Sequence, residues 1–393
     1  MGPYSLPSIL RRIDRPLLIQ FLKRWPDAEP ILSALETDDD VVVALDQWNH
    51  VPDDVRHEID AGLRRVHDLS TEAGLKCVHQ EIASRAAIGR PASLPEDFAS
   101  LACHEDQIMC ALLHDWRLID VATLFQGADT MNARSWCRFT DLPAVPDLHL
   151  TSVMGTQIEN GLRERYSKEG RGARVTAERY RRGRLHYVFV FVDDYGTIRI
   201  EHQENTLRRM AARPTFEVVF LYDPDAGTLE VFVPGDRKAK TATARLFAAV
   251  VLGIDSLLAS NRAPYNLDIL QSRATSLTVR RADGVALARV RRMRLALRPD
   301  QKQRLTFEVP HEGGAQDIHA LIDDELRRPV SSARYQVTQA EIQLFMVPDE
   351  GTGRQVRHSF TLTAPNNSSV RNLPDDIQAI AIKYLKTWGV DVS

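Results

Sequence analysis

Three polar side chains next to apolar runs form the first candidate for chemistry. Residues 187–202 read YVFVFVDDYGTIRIEH, with Asp194 and Glu201 at the ends of two strand-like runs and Gln203 two residues further on. Two carboxylates on neighbouring strands can hold Mg²⁺, and a lysine two residues after the second one activates water in many nucleases. Gln203 occupies the position of that lysine. A metal-dependent nuclease with a degenerate Asp194, Glu201, Gln203 site is therefore an alternative hypothesis.

The same stretch also has a purely structural interpretation. Aspartate is common in turns because its side chain bonds the local backbone. A similar pattern without the three polar groups recurs at 216–233, FEVVFLYDPDAGTLEVFV. We therefore interpret Asp193–Gly196 as the corner of a hairpin. Each pattern precedes a helix-like stretch, at 203–213 and 237–253, so the chain contains either a duplicated ββα unit or two independent uses of the same pattern.

A second candidate for chemistry lies in a helix-like segment near residue 110. Cys103, Cys110 and His114 are spaced seven and four residues apart and would share one helix face, where they could bind zinc together with a residue such as Cys77 or His79. Structural zinc sites draw a close cysteine pair from a knuckle, so a buried helix face is the favoured interpretation. All four cysteines of the chain are expected to be reduced, mostly buried thiols.

Several enzyme classes lack their motifs in this chain. There is no Gly-x-Ser-x-Gly elbow, no Gly-x₄-Gly-Lys-Ser/Thr loop and no Gly-x-Gly-x-x-Gly fingerprint. We expect no cofactor, and the sequence favours a binding protein over an enzyme. No motif is specific enough to name a family.

Charge is the clearest functional signal. The net charge of −3 combines an acidic first part with a basic second part: residues 1–150 hold 14 Lys and Arg against 24 Asp and Glu, whereas residues 151–393 hold 36 against 29. Arginine outnumbers lysine by 42 to 8, which is typical of a GC-rich bacterial genome and supplies bidentate phosphate donors. A polyanion would therefore bind the second part.

Two basic stretches give the candidate phosphate ligands. Residues 163–184 and 280–304 hold nine Lys and Arg each, and a helix begins near Arg237 with further basic residues. On a regular strand, Arg289 and Arg291 would point one way and Arg292 and Arg294 the other. The alternative is a solvated surface with salt bridges. The candidate nucleic-acid-binding residues are Arg179, Arg181, Arg182, Arg184, Lys238, Lys240, Arg289, Arg291, Arg292 and Arg294. No helix-turn-helix or RNA-recognition motif is present, so sequence-specific readout is not expected.

Periodicity predicts an α+β protein with an all-α N-terminal domain. Helical spacing covers residues 1–140, with segments at 71–86, 95–114 and 116–126, and strand-like alternation is essentially absent there. Residues 141–150, DLPAVPDLHL, are expected to be a linker. Residues 151–393 are expected to form an antiparallel-sheet domain, with a sub-boundary near 260–270.

Further elements are predicted within that second domain. Helical patterns cover about 152–168 and a C-terminal segment that stops at Gly389. Besides the two patterns above, hairpins are predicted at 276–297 and 340–364 from strand-like runs around Asp-plus-Gly turns.

These observations lead to one favoured function. We expect a non-enzymatic cytoplasmic component of a bacterial multi-protein system, with anti-phage defence as one setting. Its arginine-rich face would contact nucleic-acid phosphates without sequence specificity, and its acidic helical domain would contact a protein partner. The N-terminus lacks a secretion signal and no apolar run of about 18 residues is present, so no membrane association is expected. The alternatives are the nuclease and a scaffold that self-assembles through its charge blocks.

Overall fold

The fold is that of a computed structural model. It describes residues 3–37, 41–132, 135–203, 206–254, 263–273, 277–298, 302–310, 317–326, 334–348 and 355–392. The acidic run Asp38–Asp40 lies outside these residues.

Helices dominate the first third of the chain, as the periodicity predicts. They are α1 (Leu6–Leu10), α2 (Arg15–Leu22), α3 (Glu29–Thr37), α4 (Val41–Asp46), α5 (Asp53–Leu69), α6 (Glu72–Ala87), α7 (His104–His114) and α8 (Trp116–Thr130). One predicted helix is shorter than expected, because residues 95–103 contain only a 3₁₀ turn at Phe98–Ser100. The hydroxyl of Ser100 donates to the carbonyl of Asp97, a local bond that competes with helix formation.

Strands follow, with four further helices. The strands are β1 (Trp136–Phe139), β2 (Val175–Arg182), β3 (Leu185–Asp193), β4 (Thr197–Gln203), β5 (Thr206–Ala212), β6 (Thr215–Asp223), β7 (Thr228–Phe232), β8 (Val285–Leu297), β9 (Arg304–Glu308), β10 (Tyr335–Met346), β11 (Arg357–Thr363) and β12 (Asn367–Ser368). The helices are α9 (Ser152–Ser167), α10 (Arg237–Leu252), α11 (Ile318–Leu326) and α12 (Asp375–Thr387). The predicted α+β class is confirmed. Strand β1 corrects the expectation that no strand precedes residue 140.

Two five-stranded sheets carry the α+β part. The first sheet has the order β1-β7-β6-β3-β2 and the second has the order β12-β11-β10-β8-β9. In the first sheet, valines of β3 and β6 pack with Ile158 and Leu162 of α9 and Phe247 of α10. In the second, Ile342 and Leu344 of β10 share a core with α11 and α12. Each sheet thus buries one face beneath a pair of helices.

The predicted hairpin at 187–202 does not form, and this is the main correction to the sequence interpretation. Strand β3 is buried and lies between β2 and β6, so both of its edges are occupied. Strand β4 instead pairs with β5 in a separate two-stranded sheet, from Thr197↔Ala212 to Gln203↔Thr206. The helix predicted at 203–213 is therefore largely strand β5, because cross-strand pairing overrides its helix-favouring Leu, Arg, Met and Ala residues. Asp193–Gly196 is not a hairpin corner, and there is no duplicated ββα unit.

The hairpin predicted at 276–297 is also wrong. A 3₁₀ turn at Arg281–Asp283 leads into the single long strand β8, and residues 277–280 are irregular. This segment bonds to helix α12 rather than to β8: Trp388 Nε1 donates to the carbonyl of Thr278 at 2.9 Å, and the amide of Arg280 donates to Tyr384 Oη at 2.7 Å. Side chains outside the segment thus form hydrogen bonds with backbone groups that pairing with a neighbouring strand would require.

The remaining predicted elements of this part are confirmed. Strands β6 and β7 form the hairpin at 216–233, and β10 pairs with β11 as expected for 340–364, although the turn between them lies outside the described residues. Helices α9 and α10 occupy the predicted ranges. Helix α12 is followed by Gly389, whose φ of 71° suits a helix stop.

The chain divides into two compact units that are discontinuous in sequence. The first contains 1–130, 181–183 and 195–214, and the second contains 131–180, 184–194 and 215–393. The β4–β5 hairpin belongs to the first unit. The domain boundaries drawn at residues 140 and 150 from the sequence stay a prediction.

Residues 141–150 are held against the β6–β7 turn. The amide of Leu142 donates to the carbonyl of Gly227 at 3.1 Å, the amide of Val145 donates to the carbonyl of Pro224 at 2.8 Å, and Tyr222 Oη donates to the carbonyl of Pro143. Gly227 has a φ of 58°, and a Cβ at this position would lie 2.2 Å from the carbonyl oxygen of Leu142. Only glycine therefore fits at this crossing.

We expect Gly227→Ala to destabilise the second unit by about 2–4 kcal/mol, because it combines a left-handed backbone cost with a backbone clash. Gly253→Ala is the matched control: its φ is 67°, and nothing lies within 4 Å of the point that an added Cβ would occupy, so only about 1 kcal/mol should be lost. Urea unfolding followed by tryptophan fluorescence measures both. Equal losses would contradict a role for the close contact with Leu142.

Candidate nucleic-acid interface

The outer face of the second sheet, on the side away from its core, gathers most of the charged residues of that sheet. Register pairing puts Arg292 opposite Glu308 and Glu341, Arg294 opposite Thr306 and Gln339, and Arg289 opposite Gln343. Apolar neighbours in the same strands, such as Val290, Met293 and Leu295, point into the core. We call this surface the arginine face; its arginines are Arg289, Arg291, Arg292, Arg294, Arg304 and Arg357.

A β-bulge brings four arginines of β8 to the same side. Val290 pairs with Ile342 and Arg292 pairs with Glu341, so Arg291 is the extra residue between them. Regular alternation would have sent Arg289 and Arg291 to one face and Arg292 and Arg294 to the other. The bulge shifts the alternation by one residue, so all four lie on the outer face.

Glu341 anchors the centre of this face. Its carboxylate accepts from Arg291 Nε at 2.6 Å and from Arg291 Nη2 at 3.0 Å, and it forms an ion pair with Arg292 Nη2 at 3.0 Å. Arg291 also bonds Glu308 at 2.5 Å, and these bonds, led by the one to Glu341, raise its pKa. The side chains of Arg291 and Glu341 are only 7% and 8% exposed, so this pair is structural.

Among the described residues of this face, arginines outnumber carboxylates. Six arginines share the face with Glu308 and Glu341, and Arg289 donates to neutral groups, the side chain of Gln343 and the carbonyl of Pro310. Burial lowers the pKa of Arg289, and the charges of Arg291 and Arg357 lower it further. Among the described residues, the buried Nε of Arg292 has no acceptor. The face therefore holds several arginines close together and one buried N–H group, that of Arg292 Nε, without an acceptor among the described residues.

The residues between the arginines are hydrogen-bonding and uncharged. Gln339, Gln343, Ser359, Thr361 and Thr363 occupy the outer positions of β10 and β11. Gln339 and Gln343 are buried, at 9% and 1% exposure, whereas Ser359 is exposed. Exposed side chains of this type contact phosphate and sugar oxygens in protein–nucleic acid complexes. The arrangement can bind a polyanion without any catalytic group.

Comparisons give no relative from which to assign a role. No family model, no curated protein and no solved structure matches the chain.

Among the four arginines predicted at 179–184, Arg182 and Arg184 form ion pairs. Arg182 is a structural residue of the first unit: its Nε donates to Gln80 Oε1 at 2.6 Å, its Nη1 donates to Asp129 Oδ2 at 2.7 Å, and its guanidinium lies over the ring of Phe125. Arg184 forms ion pairs with Asp223 at 2.9 Å and Asp225 at 3.7 Å. These contacts account for the arrangement of both side chains without a ligand.

The other predicted cations outside the second sheet differ in exposure. Arg179 and Arg181 are exposed and donate to the carbonyls of Leu150 and Gly183. Lys238 is exposed near the start of α10, whereas Lys240 is only 8% exposed. Lys240 is therefore poorly placed to meet a polyanion.

The two carboxylates of the nuclease candidate, Asp194 and Glu201, belong to segments of different sheets. Asp194 follows β3 and forms an ion pair with Arg171 at 3.5 Å, and Arg171 lies over the rings of Tyr166 and Phe216. Glu201 lies on β4 and pairs with Arg199 at 3.1 Å. The side chain of Gln203 lies outside the described part of the chain. The strand pairing that motivated the nuclease hypothesis is thus missing.

The Cys103, Cys110 and His114 candidate loses its shared helix face. Cys103 precedes α7 as its N-cap residue, whereas Cys110 and His114 lie inside the helix. The four cysteines are free, and burial raises the pKa of the Cys103 and Cys77 thiols to about 11. Within the described ranges, no group of three or more His, Cys, Asp or Glu is placed to hold a metal ion. No helix in those ranges has the length and apolarity to cross a membrane.

Sequence reasoning missed two arginines of the face. Arg304 belongs to the basic stretch at 280–304 but is not among the candidates, and Arg357 lies outside both basic stretches. A signal for Arg357 was present: Arg357, Ser359, Thr361 and Thr363 alternate with Phe360 and Leu362 along β11. This alternation identifies the polar side of a half-buried strand.

We expect Glu341→Gln to lower the free energy of unfolding by about 3 kcal/mol, because it leaves the buried Arg291 without its main counter-charge. Glu308→Gln is the matched control on the same face; Glu308 is 46% exposed, so its loss should stay below about 1 kcal/mol. Chemical denaturation measures both. A Glu341→Gln effect as small as that of the control would mean that the central pair is not structural.

Proposed function

We propose that this chain is a non-enzymatic nucleic-acid-binding protein that contacts phosphates through the arginine face. The observation that carries the proposal is that, among the described residues, six arginines and two glutamates lie on one sheet face. Phosphate contacts by arginine supply the sequence-independent part of nucleic-acid affinity.

The internal contacts divide the arginines of this face by role. Arg291 is committed to Glu341 and Glu308, and Arg292 shares both carboxylates. Arg294 and Arg304 have no carboxylate within ion-pair distance among the described residues, and Arg304 is exposed. We assign phosphate binding chiefly to Arg294 and Arg304, with Arg289 and Arg357 extending the surface.

The acidic helical part supports the second half of the proposal, a protein partner. Residues 1–150 hold ten more acidic than basic side chains, which favours a basic protein surface as the partner of the helices. Membership in a bacterial multi-protein system, with phage defence as one setting, and a cytoplasmic location belong to the same proposal.

Reversal of two charges tests the arginine face. In Arg294→Glu/Arg304→Glu, affinity for duplex and single-stranded nucleic acid should fall at least about tenfold, because two phosphate contacts become repulsive. The slope of log affinity against log salt should become shallower by about 2. Fluorescence anisotropy between about 50 and 200 mM NaCl measures both quantities.

Arg245→Glu is the control for a charge change in the same unit. Arg245 is exposed on α10, the helix that packs on the first sheet, and its reversal should change affinity by less than about twofold. Unchanged circular dichroism excludes misfolding of either variant. Equal losses in the two variants would assign binding to net charge alone, and no loss in either would refute the proposed interface.

A further inference from the structure

The β4–β5 hairpin is the most exposed structured segment of the first unit. We call its strands, Thr197–Gln203 and Thr206–Ala212, the ribbon. Four of the twelve exposed large apolar residues in the described part of the chain lie in or beside it: Tyr195, Ile198, Ile200 and Leu207. Isolated two-stranded hairpins are marginally stable and rarely display aliphatic side chains without a use.

The ribbon has two distinct faces, which its register defines. Cross-strand partners share a face, so Ile198 lies with Ala211, Ile200 with Arg209, and His202 with Leu207. On this face, Ile198, Ile200 and Leu207 are 68%, 57% and 47% exposed. The opposite face carries Arg199, Glu201, Arg208 and Met210.

Charge decides between the possible occupants of the aliphatic face. Residues 195–214 hold four arginines and two glutamates, and Arg208 and Arg209 are both exposed. A second copy of the chain docking here would bring two arginine-bearing ribbons together, and three aliphatic side chains are few beside the 20–30 residues per side of a standard interface. An anionic partner is compatible with both the aliphatic and the arginine residues.

Size identifies the class of polyanion. Two strands about 4.8 Å apart form an element that the major groove of B-form DNA, about 12 Å wide, admits. Seven residues extend over roughly 23 Å, which is less than one helical turn of duplex. The major groove of A-form RNA is too narrow for side chains to read.

We propose that the ribbon inserts into the major groove of double-stranded DNA with its aliphatic face toward the base edges. Arg209 lies in the middle of that face and donates to guanine O6 and N7, and Ile198 and Ile200 contact thymine methyl groups. Arg199 and Arg208, on the opposite face, reach toward phosphates. The inference rests on the proposed nucleic-acid-binding function and adds a second contact of defined geometry.

Arg208 and Arg209 provide a matched pair for the test, because they are adjacent, exposed and on opposite faces. The full chain is titrated with a DNA duplex of about two helical turns and with an RNA duplex of the same sequence. Arg209→Ala should lower affinity for DNA about tenfold and leave affinity for RNA within about twofold. Arg208→Ala should weaken both by a similar factor, because a phosphate contact does not distinguish them.

A chemical footprint locates the contact within the groove. Guanine N7 faces the major groove, and bound wild-type protein should protect it from dimethyl sulfate. Arg209→Ala should remove that protection, whereas Arg208→Ala should retain it. Ile200→Ser should weaken DNA binding without changing the sedimentation coefficient of the free protein.

Three results would overturn the inference. The first is that Arg208→Ala and Arg209→Ala have equal effects on the affinities for DNA and RNA. The second is that guanine N7 stays reactive toward dimethyl sulfate in the complex. The third is that Ile200→Ser changes the oligomeric state and leaves the affinity for DNA unchanged. The last result would assign the aliphatic face to a second copy of the chain. Failure of the proposed function gives a different result from failure of this inference. In that case the Arg294→Glu/Arg304→Glu variant binds nucleic acid as tightly as the wild-type protein.

Discussion

A buried carboxylate on a sheet surface is the constraint around which the second sheet is organised. Glu341 lies at the centre of β10 on the side away from the apolar core, and its side chain is 8% exposed. An ion held out of water must be paired and hydrogen-bonded, or its burial is strongly unfavourable. Arg291 meets this requirement with two donors, and the bulge in β8 places it within reach. The same bulge reverses the alternation of β8, so the neighbouring arginines follow Arg291 to the outer face.

Local sequence patterns predicted some strand pairings correctly and assigned the wrong partner to others, among them β3 and β4. The hairpin at 216–233 was recognised because β6 and β7 pair across a short turn. Strand β3 has the same apolar run followed by a turn-like segment, but it pairs with β6, about thirty residues further on. Residues 277–280 resemble a strand, yet the side chains of Trp388 and Tyr384 bond their backbone. Local patterns hold no information about such competitors.

The candidate site was predictable in composition and unpredictable in geometry. The excess of arginine in 280–304 pointed to β8, but alternation assigned its arginines to opposite faces because a bulge has no sequence signal in this strand. Arg182 and Arg294 cannot be told apart by type or neighbourhood in the sequence. In the structure, Arg182 contacts Gln80, Asp129 and the ring of Phe125, and its side chain is only 12% exposed. The contacts of each guanidinium, rather than the local density of charge, separate the structural arginines from those that we propose as phosphate ligands.

The ribbon and the arginine face differ in how their arginine side chains are supported. On the arginine face, the buried Glu341 and the half-exposed Glu308 fix the directions of Arg291 and Arg292. The proposed phosphate ligands beside them stand on a sheet backed by helices, so they would lose little conformational entropy on binding. On the ribbon, Arg208 and Arg209 stand on two strands without a helix layer of their own, and their side chains are exposed. A helix-backed sheet such as the arginine face suits contacts with backbone phosphates, whereas a two-stranded element such as the ribbon has a width that the major groove admits. In our two proposals, the division between general affinity and groove recognition follows from how each arginine is supported.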